Sequence, residues 1–132
     1  MDDVFKISKD IPRAKSLFEI SKERLEIIKV LPRDKTYKII EDYYEIVLEL
    51  LTSVMYADGF KTLSHISVID YFFKNYKILS PNQFNIIDTM RKYRNSIVYY
   101  GKKISADYLT NNEGEIKKII FKLQVFVDKK LS

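Results

Sequence analysis

Pro12, Pro32, Gly59, Pro81, Gly101 and Gly114 are the only prolines and glycines in the chain, and long uninterrupted stretches separate them. Within those stretches apolar residues recur three and four positions apart, and no window sustains the period-two alternation of a half-buried strand. The pattern therefore predicts an all-α fold, and the punctuation says where each helix starts and stops.

Asp10 is the expected N-cap of a first helix with Pro12 in its first turn. Ala14, Leu17, Ser21, Leu25, Ile28 and Leu31 follow at helical spacing until Pro32 ends the run. A second helix is expected from about Tyr37 to Ala57, with Tyr37, Ile40, Tyr44, Val47, Leu48, Leu51 and Met55 on one stripe and Gly59 as its stop. The segment GFKTLSH reads as a loop in which Ser64 caps a short third helix reaching about Asn75. Ser80 followed by Pro81 starts a fourth, ending near Gly101, and a fifth is expected from near Ser105 to Lys130. In the fifth, Leu109, Ile116, Ile120, Leu123, Val127 and Leu131 form the apolar register, and the weak helix formers of NNEGE, residues 111–115, predict fraying or a kink. Four long helices with short connections predict an up-and-down bundle, a single domain over residues 1–132, with the third helix across one end.

The 132 residues suffice for one core. There is no cysteine, which removes disulfides and thiolate metal sites, and His65 is the only histidine. Neither H-x-x-x-H nor E-x-x-H spacing occurs, so no metal site is expected, and without a glycine-rich phosphate loop no nucleotide cofactor is expected either. The first residues are charged from position 2, and no apolar run approaches the roughly 18 residues of a membrane span, so the expectation is a cytoplasmic protein.

The net charge of +5 is unevenly spread. Tyr37 to Asp58 sets Lys38 against Glu41, Asp42, Glu45, Glu49 and Asp58, while Asp88 to Lys103 sets Arg91, Lys92, Arg94, Lys102 and Lys103 against Asp88 alone. The basic segment thus faces either the acidic one or an external polyanion. On a helical wheel Ile86, Ile87, Met90, Tyr93, Ile97 and Val98 gather into one arc, and Arg94 falls inside it. A guanidinium in such an arc requires a counter-charge: a carboxylate, for which Glu41 and Glu45 are the candidates, a ligand phosphate, or a partner chain. The plainer alternative is a structural ion pair or an arginine whose head reaches the rim. The carboxylates Glu41, Asp42, Glu45 and Glu49 otherwise read as a solvated stripe.

The GFKTLSH loop before a short helix, RNSIVYYG closing the fourth helix and S-x-D-x-L opening the fifth resemble the HEPN superfamily over about residues 37–131. The resemblance implies a helical bundle, commonly a homodimer, whose hallmark is an arginine, a polar residue such as asparagine, and a histidine four to six residues on. It also implies metal-independent ribonuclease chemistry in many members, toxins partnered with a small nucleotidyltransferase in others, and noncatalytic RNA binding in the rest. Arg94 and Asn95 match the hallmark; at the histidine's place stand Tyr99, Tyr100 and Gly101. A histidine with a pKa near ~6.5 exchanges protons at neutral pH and a tyrosine near ~10 does not, so the replacement predicts a degenerate ribonuclease site.

The reading that follows is an RNA- or nucleotide-associated binding protein, homodimeric, using Arg91, Lys92, Arg94, Lys102 and Lys103 on phosphate. One alternative is an active endoribonuclease employing Arg94 and Asn95 with Tyr99, or with His65 brought in by packing. The other is a dimeric interaction module that binds no nucleic acid.

Overall fold

A computed structural model describes residues 3–132. Helices α1 (Ile11–Lys29), α2 (Thr36–Asp58), α3 (His65–Asn75), α4 (Pro81–Tyr100) and α5 (Ala106–Leu131) are joined by short turns, and strands β1 (Val4–Lys6) and β2 (Phe60–Thr62) form an antiparallel ribbon. The all-α class expected from the periodicity is what the chain adopts. Met1 and Asp2, the start of the domain expected over 1–132, lie outside the described residues.

Local chemistry sets the boundaries. The side chains of Asp10, Ser64 and Ser105 accept backbone N–H bonds at the starts of α1, α3 and α5, and Ser80 and Gln83 form a reciprocal capping box at α4. Gly59 (φ 88°) and Gly101 (φ 61°) end α2 and α4 in the left-handed region, where a side chain would be strained.

Helix α2 is the axis of the bundle. Not one stripe but most of its circumference is buried, with Ile39, Tyr43, Ile46, Leu50 and Val54 joining Ile40, Tyr44, Val47, Leu51 and Met55 in a core shared by all five helices. Each such aliphatic side chain contributes on the order of 2 kcal/mol by leaving water. Tyr37, expected on that stripe, is half exposed because it lies in the first turn, at the edge of the bundle.

Polar contacts fix the helix directions. Ser53 Oγ donates to the Ala14 carbonyl at 2.7 Å and Arg24 pairs with Glu49 at 2.9 Å, so α1 runs antiparallel to α2. Tyr43 donates to Glu113 at 2.6 Å and Lys130 pairs with Asp58 at 2.7 Å, so α5 runs parallel to α2. Gln83 donates to Glu115 and Tyr93 meets Tyr108 edge-on, which sets α4 against α5. The four long helices therefore alternate in direction.

Three details differ from expectation. The GFKTLSH segment is not merely a loop: Phe60–Thr62 pairs with Val4–Lys6, and Ile7 N–H adds a bond to the Gly59 carbonyl at 2.8 Å. Three-residue strands are too short to show a period. Helix α3 does not cross one end; His65 meets Tyr44 while Tyr71 and Tyr76 both donate to Asp58, so α3 lies along the second half of α2. Helix α5 passes through NNEGE unbroken, because Arg33 and Tyr43 hold Glu113 and Asn112 bonds back to the Tyr108 carbonyl at 2.9 Å.

Candidate functional site

The basic end of α4 is built where that helix leaves the core. Gln83, Ile87 and Met90 are its buried residues, and beyond Met90 every side chain is half-buried or exposed. Ile97 still packs on the core, whereas Val98 is 45% exposed, so the expected apolar arc opens toward solvent on the side that carries Arg94.

Arg94 is half-buried and pairs with no carboxylate among the described residues. Its Nη1 donates to Asn95 Oδ1 at 3.3 Å, and its guanidinium carbon lies 5.9 Å from the Tyr99 ring centre. Glu41 and Glu45, expected as counter-charges, form no ion pair with it. The neighbouring carboxylates of α2 are engaged elsewhere: Arg24 of α1 takes Glu49 at 2.9 Å and approaches Asp42 at 3.8 Å, and Lys38, within α2 itself, takes Asp42 at 3.1 Å. The stripe expected to be solvated is thus largely sequestered. Asp42 is buried, and burial pushes the Glu49 carboxyl up even against Arg24.

The adjacent cations are better matched. Arg91 binds Asp88 through Nε at 3.1 Å and Nη2 at 3.0 Å, and Lys92 reaches the same carboxylate at 3.2 Å. Burial raises Asp88, but bonds from Arg91 and Lys92 outweigh it and hold the carboxyl below its ordinary value. Lys102 and Lys103, past Gly101, are exposed, as are Tyr99 and Tyr100 at 67% and 77%.

Packing brings His65 to this place from the first position of α3. Ser64 does the capping there, and the half-buried His65 ring sits 5.8 Å from that of Tyr44, with Nδ1 3.1 Å from the Tyr44 hydroxyl. Burial first, then the Arg94 and Arg91 guanidiniums, lower the His65 pKa; Glu45 pulls the other way. The imidazole is therefore neutral at pH 7. Burial likewise raises Tyr44, so its hydroxyl stays protonated. That hydroxyl has no other hydrogen-bond partner among the described residues. The Tyr44 hydroxyl and His65 Nδ1 therefore satisfy each other, the direction of that bond following the imidazole tautomer.

Arg94, Arg91, His65, Tyr44 and Glu45 thus lie within electrostatic reach of one another, and Asn95 and Tyr99 contact Arg94 directly. Tyr44 was read from the sequence as a packing residue, and no periodicity separates a tyrosine that packs from one that also orients a histidine. The cluster offers a guanidinium without a carboxylate and a neutral imidazole carrying an N–H donor, which suits an oxyanion such as a phosphate. Among the described residues no group of three or more His, Asp or Glu side chains is placed to hold a metal ion, and no helix is long and apolar enough to cross a membrane. Compared with protein-family models, curated proteins and solved structures, the chain matches none of them.

Proposed function

We propose that this chain is an RNA-associated binding protein of HEPN-like type, in which the α4 cluster holds a backbone phosphate and ribonuclease chemistry is weakened or lost. The observation that carries this is Arg94. It is half-buried, without a carboxylate among the described residues, in a protein that pairs its other half-buried guanidiniums, Arg24 and Arg91, with acids. A bound phosphodiester supplies the missing charge. Lys92, Lys102 and Lys103 extend the positive field, and the exposed Tyr99 and Tyr100 rings offer faces on which unpaired bases stack.

The enzyme reading has one observation in its favour: the imidazole close to Arg94 is uncharged at neutral pH. In that reading Arg94 and Asn95 hold the phosphate and His65, rather than Tyr99, moves the proton. The exposed Val98, Tyr99 and Tyr100 end of α4 supports a homodimer with the two α4 helices near its axis; a cytoplasmic setting, and a small nucleotidyltransferase as the partner of a toxin-like protein, belong to the same proposal through the HEPN resemblance alone.

Fluorescence anisotropy with single-stranded RNA across a salt series tests the proposal. Affinity falls with salt, and Arg94→Ala weakens it and reduces the log–log slope by about 1. RNA affinity that is absent, or identical in Arg94→Ala, refutes the binding role. RNA cleavage in chelator that Arg94→Ala and His65→Ala both abolish would establish the enzyme instead.

A further inference from the structure

A second anion-binding feature stands at the start of α2. A groove of about 550 Å³ opens between the α1–α2 turn and the end of α4, with Lys35, Thr36 and Tyr37 on one side and Gly101, Lys102 and Lys103 on the other. Lys35 is the N-cap of α2 and gives no side-chain bond to the helix. The N–H groups of Lys38 and Ile39 both turn to the Lys35 carbonyl at 3.1 Å, while those of Thr36 and Tyr37 meet no acceptor among the described residues. The first turn of a 23-residue helix therefore presents two free donors and the positive end of its dipole to the groove.

Thr36 provides an independent sign that something belongs there. Thr36 is only 8% exposed, it lines the groove, and its hydroxyl, which is open to solvent, makes no hydrogen bond among the described residues. A hydroxyl so placed is satisfied by what fills the space in front of it. On the opposite wall, Gly101 turns the chain out of α4 with φ 61°, Ile104 anchors the return on the core, and Lys102 and Lys103 between them flank the groove. Three lysines against the single carboxylate of Asp34 leave a net charge of +2 on the lining.

We propose that this groove is a phosphate subsite. The Thr36 and Tyr37 amides and the Thr36 hydroxyl donate to phosphoryl oxygens, and Lys102 and Lys103 supply the balancing charge. The groove and the Arg94 cluster share the seam between α2 and α4. Thr36 and Tyr44 are eight residues apart on one helix, about 12 Å at 1.5 Å per residue. A single RNA strand laid along the seam, past Tyr99 and Tyr100, reaches both. The subsite's assignment to RNA rests on the function proposed above; its affinity for phosphate does not.

The test uses the intact ¹⁵N-labelled protein with three probes: inorganic phosphate, a 5′-phosphorylated RNA octamer, and the same octamer with a 5′-hydroxyl. The Thr36 and Tyr37 amide signals shift and saturate with phosphate, and shift with RNA. Thr36→Val removes the phosphate response, and the surface pair Lys102→Gln/Lys103→Gln weakens RNA binding several-fold and lowers the salt slope by about 1.4. Preference for the 5′-phosphorylated strand assigns a terminal phosphomonoester, and equal binding assigns a backbone diester. RNA binding that depends on Arg94 but leaves both amides and the lysine pair silent overturns the subsite and leaves the RNA reading intact. Phosphate shifts at Thr36 without any RNA binding keep the subsite, for a free phosphomonoester, and overturn the RNA reading.

Discussion

Asp58, the last residue of α2, is the most consequential polar residue in the fold. Its Oδ2 accepts from Tyr71 at 2.8 Å and Tyr76 at 2.6 Å, and its Oδ1 takes the Lys130 ammonium at 2.7 Å, so one carboxylate ties α2 to α3, its C-cap and α5. Asp58→Ala removes all three. Hydrogen bonds to a charged group are worth about 1.5–3 kcal/mol each. The simple sum overstates the loss, because both tyrosines are half-exposed and the Lys130 side chain, 24% exposed, can turn to water. Breaking a largely buried pair by removing one partner costs about 3–5 kcal/mol, and the lower end applies here. For 132 residues, an unfolding entropy of about 2.1 cal/mol/K per residue turns about 3 kcal/mol into a Tm drop of about 10 °C.

The pH dependence is part of the same prediction. Burial raises the Asp58 pKa, but bonds from Lys130, Tyr76 and Tyr71 outweigh it and hold the carboxyl below its ordinary value. A depressed carboxylate contributes stability that is present above its unfolded pKa near ~3.9 and lost as pH falls through the folded value. Urea unfolding followed by circular dichroism should therefore separate wild type from Asp58→Ala at pH 7, and the gap should narrow between pH 4 and pH 3. A loss below about 1 kcal/mol at pH 7, or a gap indifferent to pH over that range, would refute the reasoning.

His65 gives one imidazole signal in an NMR titration, since it is the sole histidine. Arg94→Ala raises its pKa toward the ordinary value and Glu45→Gln lowers it further, and an unmoved pKa in both would remove the electrostatic link between α3 and α4. Because folding depresses this group, it contributes stability that is present above pH ~6.5 and lost as pH falls through its folded value. The two left-handed glycines differ in surroundings: an added Cβ at Gly101 meets open space, and at Gly59 it lies 3.0 Å from the Ile7 carbonyl oxygen. Gly101→Ala should cost about 1 kcal/mol in a urea melt and Gly59→Ala more, and equal losses would show that the Ile7 contact yields freely.

Local signals were the legible ones. Asp10, Ser64, Ser80 with Gln83, and Ser105 each act within three residues, so a sequence shows both partners of the cap at once. The wheel placed Arg94 inside the apolar arc of α4, and in the fold that arc opens toward solvent on the side that carries it. What the wheel does not carry is how far that face stays covered, and α4 leaves the core at Met90. Nor does it say how many neighbours a helix has. α2 is surrounded, so Ile39, Tyr43, Ile46 and Leu50, off the expected stripe, are buried as deeply as those on it. Pairings across the chain were out of reach: Arg24 pairs with Glu49 and approaches Asp42 while Glu41 and Glu45, the acids offered to Arg94, form no ion pair with it, and Tyr44 meets His65 from 21 positions away.

The β1–β2 ribbon couples Val4 to Thr62, 58 positions on, and so makes α1, α2 and their connection a closed ring of chain. The entropy of closing a ring grows only as the logarithm of its length, so three residues per strand can hold one this large. A clasp that short also releases readily. Asp3 receives the Ser67 hydroxyl at 2.9 Å, two positions beyond His65, so release frees the first turn of α3 while the buried α2 stays folded. Amide exchange should follow that order, fast across the clasp and α3's start and slow along α2.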